Sequence, residues 1–291
     1  MTDSVCSALG IDRVDMCGKT ILIEEQHGSD ANFIVNAVIS GALQKGQGIC
    51  LVLFHNTFGH YHNVGMKLGY NMKVLRERGQ VTVVEPMKIA ATNVEDLGHD
   101  SIDALFLPVK NRVHEMLKSM GSVNVIVDDL SHLFDISLSL RDVWFYVRYL
   151  RSLMEFEPMI SVCIMTHTYR ADPDTCQPDM IAIGLKHMSD LIVSVEPLST
   201  GHANDVSGKI NIRWKMDEVR RKYHWAEKTT YLYKLMDRQV KIFAPGASSL
   251  AIEYAFLLFQ NIVQVHLLVF MRFSSIYCGV EASSQRSRRV G

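Results

Sequence analysis

From Thr20 onward the chain alternates between two kinds of segment, and this alternation restricts the fold more than any other feature. Short apolar runs rich in Val and Ile occur at residues 21–23, 49–54, 81–84, 123–127, 160–166 and 191–195. Continuous apolar runs of that length predict strands buried on both faces. Between several of them lie longer segments of helical period. Residues 30–45 place Phe33, Ile34, Ala37, Val38, Gly41 and Ala42 at three-and-four spacing, and residues 104–120 and 138–154 are similar. Strand and helix repeated in this way predict βαβ units, an α/β fold and a mostly parallel sheet flanked by helices, with right-handed crossovers.

After residue 195 the pattern changes. Residues 210–214, 230–235 and 240–244 alternate more cleanly, and no long helix is expected between them. They predict antiparallel strands at the C-terminal edge of the sheet, with Asp237 and Arg238 turning the last two into a hairpin. The simplest division is an N-terminal segment at 1–14, one domain at 15–250, and an atypical tail at 251–291 that is first hydrophobic and then basic. The tail run at 255–273 is long enough for a bilayer span, but Gln260, Asn261, Gln264 and His266 interrupt it. A membrane anchor, a packed amphipathic helix and an aberrant terminus are the three readings of it.

The composition is globular, with 48% hydrophobic and 21% charged residues. The formal net charge of −1 gives no general attraction for a polyanion, so any nucleic-acid contact needs a local patch or a basic partner. Cys6, Cys17, Cys50, Cys163, Cys176 and Cys278 are scattered without a CxxC pair, and the N-terminus has no apolar signal-peptide core. Both features point to a reducing, intracellular setting.

A strand followed by a helix at the start of a parallel sheet is where a phosphate-binding loop would sit. That loop needs glycines that expose backbone N–H groups, a lysine for the terminal phosphates and a hydroxyl for magnesium. The loop after residues 21–23 reads Glu24 to Asn32, with Gly28 as its one glycine, then Ser29 and Asp30, and no lysine. Asp30 reads as the N-cap of the helix and puts negative charge where a triphosphate would lie. Gly18, Lys19 and Thr20 match the end of the motif, but Arg13 stands where its first glycine belongs, and the triplet precedes the strand. It reads as a turn. Asp128 and Asp129 end an apolar strand in the manner of a Walker-B motif, which orients magnesium; the alternative is that one of them caps the next element.

Three further groups are candidates. His55, His60 and His62 lie after the second strand; loop histidines with structural hydrogen bonds are favoured over zinc ligands, because no flanking donor completes a site. His167 ends a strand at the edge where open α/β sheets hold ligands, and a partner or structural role is favoured there. Arg220, Arg221 and Lys222, followed by Tyr223, His224 and Trp225, form the densest basic and aromatic stretch. In a loop they would meet RNA phosphates and bases, or be a solvated surface. No G-x-S-x-G elbow occurs, so a hydrolase triad has no support, and no catalytic residue, metal or cofactor is expected.

Ordered segments identify a family. Residues 54–69 (FHNTFGHYHNVGMKLG), 76–80 (RERGQ), 127–131 (VDDLS), 189–201 (SDLIVSVEPLSTG), 205–214 (DVSGKINIRW) and 240–246 (VKIFAPG) resemble Elongator complex subunit six, in the order and spacing of that family. The resemblance covers about residues 19–250. It implies a RecA-like fold with degenerate Walker motifs. It also implies a non-catalytic subunit that joins Elongator subunits four and five in a heterohexameric ring, within the larger Elongator assembly. Such a ring binds tRNA and serves modification of the wobble uridine, in cytoplasm and nucleus. The tail beyond 250 has no counterpart in that pattern. The rival expectations are an ATPase with an unconventional phosphate loop and a tail-anchored membrane protein.

Overall fold

The computed structural model describes residues 3–88, 101–169, 176–198 and 205–244. Six strands, β1 (Thr20–Gln26), β2 (Gly48–Leu53), β3 (Val81–Val84), β4 (Val123–Asp128), β5 (Ile160–Thr168) and β6 (Leu191–Glu196), pair in parallel. Three more, β7 (Gly208–Trp214), β8 (Lys228–Leu235) and β9 (Val240–Phe243), add antiparallel at one edge. The order across the nine-stranded sheet is β3-β2-β4-β5-β1-β6-β7-β8-β9. Each predicted strand is therefore present, as is the hairpin, which closes with Met236 N–H donating to Gln239 O at 3.0 Å.

Helices cover both faces. On one face lie α1 (Asp3–Leu9), α2 (Asn32–Gln44), α3 (Phe58–Leu68) and α4 (Met72–Glu77), packed against Ile21, Ile23, Ile49 and Leu51. On the other lie α5 (Ser101–Met120), α6 (Leu140–Phe156) and α7 (Gln177–Met188), packed against Leu22, Cys50, Val52 and Val125. Successive side chains of one strand thus enter two separate cores, which is why the central runs had to be apolar throughout rather than alternating. Ser139 starts α6 with a capping box to Asp142. A short α8 (Asp217–Tyr223) lies between β7 and β8.

The structure adds what the pattern did not predict. Residues 3–14 pack as part of the domain: Val5, Cys6, Leu9, Ile11 and Val14 are all buried. Trp214 Nε1 donates to Leu9 O at 3.0 Å, and Lys45 Nζ donates to Ile11 O at 2.7 Å and Val14 O at 2.9 Å. A cut at residue 15 would pass through this packing. Helices α3, α4 and α7 also lie outside the predicted set, as does α8. Residues 245–291, with the apolar run at 255–273, lie outside the described residues; among the described residues no helix is long and apolar enough to cross a membrane.

Candidate functional site at the carboxyl edge of the sheet

Strand β1 sits between β5 and β6, and the chain leaves it toward β2 on the far side of β5. The carboxyl ends of these strands form the crevice where open α/β sheets hold ligands. The loop from β1 to α2 is a tight turn. Gly28 has φ +86°, Ser29 N–H donates to Gln26 O at 2.9 Å, and the Ser29 hydroxyl donates to Gln26 O at 2.7 Å or Val195 O at 3.0 Å. Gly28 serves the left-handed turn, and a methyl group there would meet no protein atom within 4 Å.

The amino end of α2 is already filled. Ala31 is the cap position, and its own side chain makes no cap bond. Instead Glu25 Oε2 accepts from Ala31 N–H at 2.6 Å, and Asp30 Oδ1 accepts from Asn32 N–H at 2.9 Å. Asp30, the predicted cap, therefore stands one residue before the observed cap position, Ala31, while still bonding the first turn. Two carboxylates occupy the positive end of the helix dipole, which in a phosphate loop is left open for the ligand. The other Glu25 oxygen lies 3.2 Å from His167 Nδ1. Hydrogen bonding to Glu25 raises the imidazole's pKa, against partial burial, which lowers it. His27 and Tyr169 stack beside this pair, with ring centroids 5.5 Å apart.

The acidic pair on β4 is buried. Asp128 is fully enclosed; its Oδ2 accepts from the Tyr61 hydroxyl at 2.7 Å and from Asn56 Nδ2 at 3.1 Å. Asp129 Oδ1 accepts from Ser131 N–H at 2.9 Å and the Ser131 hydroxyl at 2.7 Å, capping the 3-10 turn Leu130–Leu133. The capping alternative is thus realised by Asp129, and Asp128 anchors α3 through Tyr61.

The family model described as Elongation complex protein 6 matches residues 6–237. The chain belongs to this family. A human Elongator complex protein 6 is 30% identical over 253 residues, covering 81% of this chain and 94% of that protein. The Drosophila melanogaster Elongator complex protein 6 is 29% identical over 255 residues, covering 84% and 98%. Among solved structures, a KaiC-like protein from Pyrococcus horikoshii superposes with a TM-score of 0.51 at 12% identity, over 78% of this chain and 89% of that one. That likeness, with the sheet order above, makes the fold RecA-like.

The other sequence candidates separate in the structure. Gly18, Lys19 and Thr20 lead into β1 at the opposite end of the strand from the crevice, and Lys19 Nζ donates to Cys17 O. His60 and His62 lie on α3 rather than in a loop. His55 stacks on His132 with centroids 4.4 Å apart. Among the described residues no group of three or more His, Cys, Asp or Glu is placed to hold a metal. Arg220, Arg221 and Lys222 lie on the helix α8, not in a loop. Arg220 is paired with Asp217 and with Glu227, while Arg221 and Lys222 are exposed. Tyr223 stacks on Trp225 at 4.8 Å and Trp225 meets Trp214 at 5.7 Å, so those rings serve the packing around α1.

Asp129 gives a pH signature. Burial pushes its carboxyl up to about 6, from 3.8 for an ordinary Asp; nearby Asp128 adds to the rise, while the Ser131 hydrogen bonds and His132 oppose it. Between those values the folded state binds the extra proton, so stability falls as pH rises through the window and stays lower above it. Asp129→Asn keeps an oxygen acceptor for Ser131 and removes the charge. It is expected to raise the melting temperature above about pH 7, with the gain shrinking toward about pH 4. A gain independent of pH in a thermal-melt series would contradict this origin.

Proposed function

We propose that this chain is a non-catalytic structural subunit of the Elongator complex. It assembles with Elongator subunits four and five into a heterohexameric RecA-like ring, which joins the remaining Elongator subunits. The ring binds tRNA and supports modification of the wobble uridine, U34, in cytoplasm and nucleus. Membership of the family and the name its relatives carry support the assignment to Elongator. One observation carries the non-catalytic reading: the Glu25 carboxylate sits 2.6 Å from the Ala31 N–H that a phosphate would need. A lysine is missing from the same loop, its one hydroxyl, Ser29, is spent on backbone carbonyls, and Asp128 is held by Tyr61 and Asn56. A bound triphosphate would face the Glu25 and Asp30 carboxylates at the end of the helix, an arrangement that opposes binding.

The test is calorimetric titration of the purified full chain with ATP and magnesium. No saturable heat is expected up to about 1 mM, the upper end of ordinary substrate affinities. Stoichiometric binding in the micromolar range would overturn the reading.

A further inference from the structure

The strongest unassigned surface lies on α3 and α4. Residues 58–80 hold four cations, Lys67, Lys73, Arg76 and Arg78, against one acid, Glu77, a net of +3. All four are exposed, and among the described residues none is in an ion pair. Arg220, by contrast, is held by two acids. Rings lie among these cations. Phe58 and His62 stack nearly parallel, at 18° with centroids 6.4 Å apart, and the Arg76 guanidinium lies 5.3 Å from the centre of the Phe58 ring.

A groove of about 430 Å³ runs beside α3, between it and the β8–β9 turn. Its apolar walls include Phe33, Val64, Leu68 and Leu235; Lys67 and Arg238 line it together with Asp30 and Asp237, so the charge of the groove itself balances and the excess of cations lies on the α3–α4 face beside it. His60 also lines it.

We infer that the α3–α4 face and this groove form a docking surface for an unpaired stretch of polynucleotide. Exposed cations meet backbone phosphates, and ring faces with an apolar slot suit an unstacked base. An acidic peptide would use the cations and leave the rings and the slot unused, so the combination favours a nucleic-acid strand. The inference refines the tRNA element of the proposed function by naming a surface for it, and it does not depend on ring assembly.

The test measures the full chain alone, by fluorescence anisotropy with labelled oligouridylate across a salt series. A chain with Lys67, Lys73, Arg76 and Arg78 all replaced by Gln is expected to bind at least about tenfold more weakly at low salt. Its log–log salt slope is expected to be smaller by about 2–3, since each phosphate contact on a single strand contributes roughly 0.7. Val64→Trp fills the groove without changing charge; it is expected to weaken binding severalfold and leave the slope unchanged. Replacing Arg220, Arg221 and Lys222 by Gln is expected to have the smaller effect. A preference for oligouridylate over oligothymidylate assigns the surface to RNA, and equal affinity assigns it to single strands of either sugar. Absent binding, an undiminished quadruple variant with unchanged melting temperature, or equal binding of polyglutamate or anionic vesicles would each overturn the inference. None of these outcomes bears on whether the ring forms, which is read separately from the mass of the assembly.

Discussion

Asp128→Ala is expected to destabilise the chain by about 2–3 kcal/mol, whereas Asp128→Asn is expected to change its stability by less than about 1 kcal/mol. The difference follows from what the side chain holds. Tyr61 is fully buried on α3, and its hydroxyl has Asp128 Oδ2 as its acceptor. Alanine removes that acceptor and leaves the hydroxyl without a partner in the core, at the full desolvation cost of a buried polar group. Asn56 suffers less, because its amide also donates to Asn32 Oδ1 at 3.1 Å. Asparagine restores an oxygen for Tyr61. It also replaces a second carboxyl oxygen that is buried with no partner of its own. Denaturant unfolding of the two variants distinguishes this structural role from magnesium binding. A structural acceptor tolerates Asn and not Ala; a magnesium ligand would show a magnesium- and nucleotide-dependent rise in stability that either substitution abolishes.

Gly10→Val is expected to be worse, at about 3 kcal/mol or more, through two separate faults. Gly10 ends α1 with φ +76°, a conformation that a β-branched residue resists. A Cβ at that position would also lie 2.1 Å from the Trp225 ring, which packs directly on the glycine. Relief would require moving Trp225, and with it the contact to Trp214 that is tied to Leu9 O. Loss of α1 from the sheet face is the expected structural consequence, seen as faster amide exchange over residues 3–14. A variant that melts with the wild type would show that α1 contributes little to the domain.

The parallel half of the fold was legible because strands buried on both faces must be apolar throughout, and few other structures demand such short Val- and Ile-rich runs. The antiparallel edge was legible for the complementary reason: one face of β7 is buried and the other is half-exposed, so its residues alternate. Helices α3 and α4 were not. Gly59, Gly65 and Gly69 interrupt the segment, and its charged residues dilute the apolar stripe, so the 3.6-residue period is weak. Gly65 is there because Tyr70 packs on it: an added Cβ would lie 2.6 Å from the ring. Helix α1, at seven residues, is held by tertiary contacts that no local pattern announces.

The site divides in the same way. An absent lysine and a glycine-poor loop were visible in the order of the residues. The occupation of the helix end by Glu25 was not, because it depends on a side chain folding over its own loop and on His167, distant in sequence. One signal was present: β1 ends in two adjacent glutamates, Glu24 and Glu25, inside a central strand, and buried carboxylates need partners. Glu24 finds them in Lys186 at 2.7 Å and the Ser194 hydroxyl at 2.5 Å. In the Arg220 stretch the density of charge was visible in sequence, but its placement on a helix, with Arg220 paired to Asp217 and Glu227 and Arg221 and Lys222 left exposed, was not.

We propose that this chain works by assembly, and the native mass of the complex formed when the full chain is co-expressed with Elongator subunits four and five tests this. A stable heterohexamer that contains this chain is the result expected. A chain that remains monomeric in the presence of both partners would contradict the claim and leave only a RecA-like fold with a closed phosphate site.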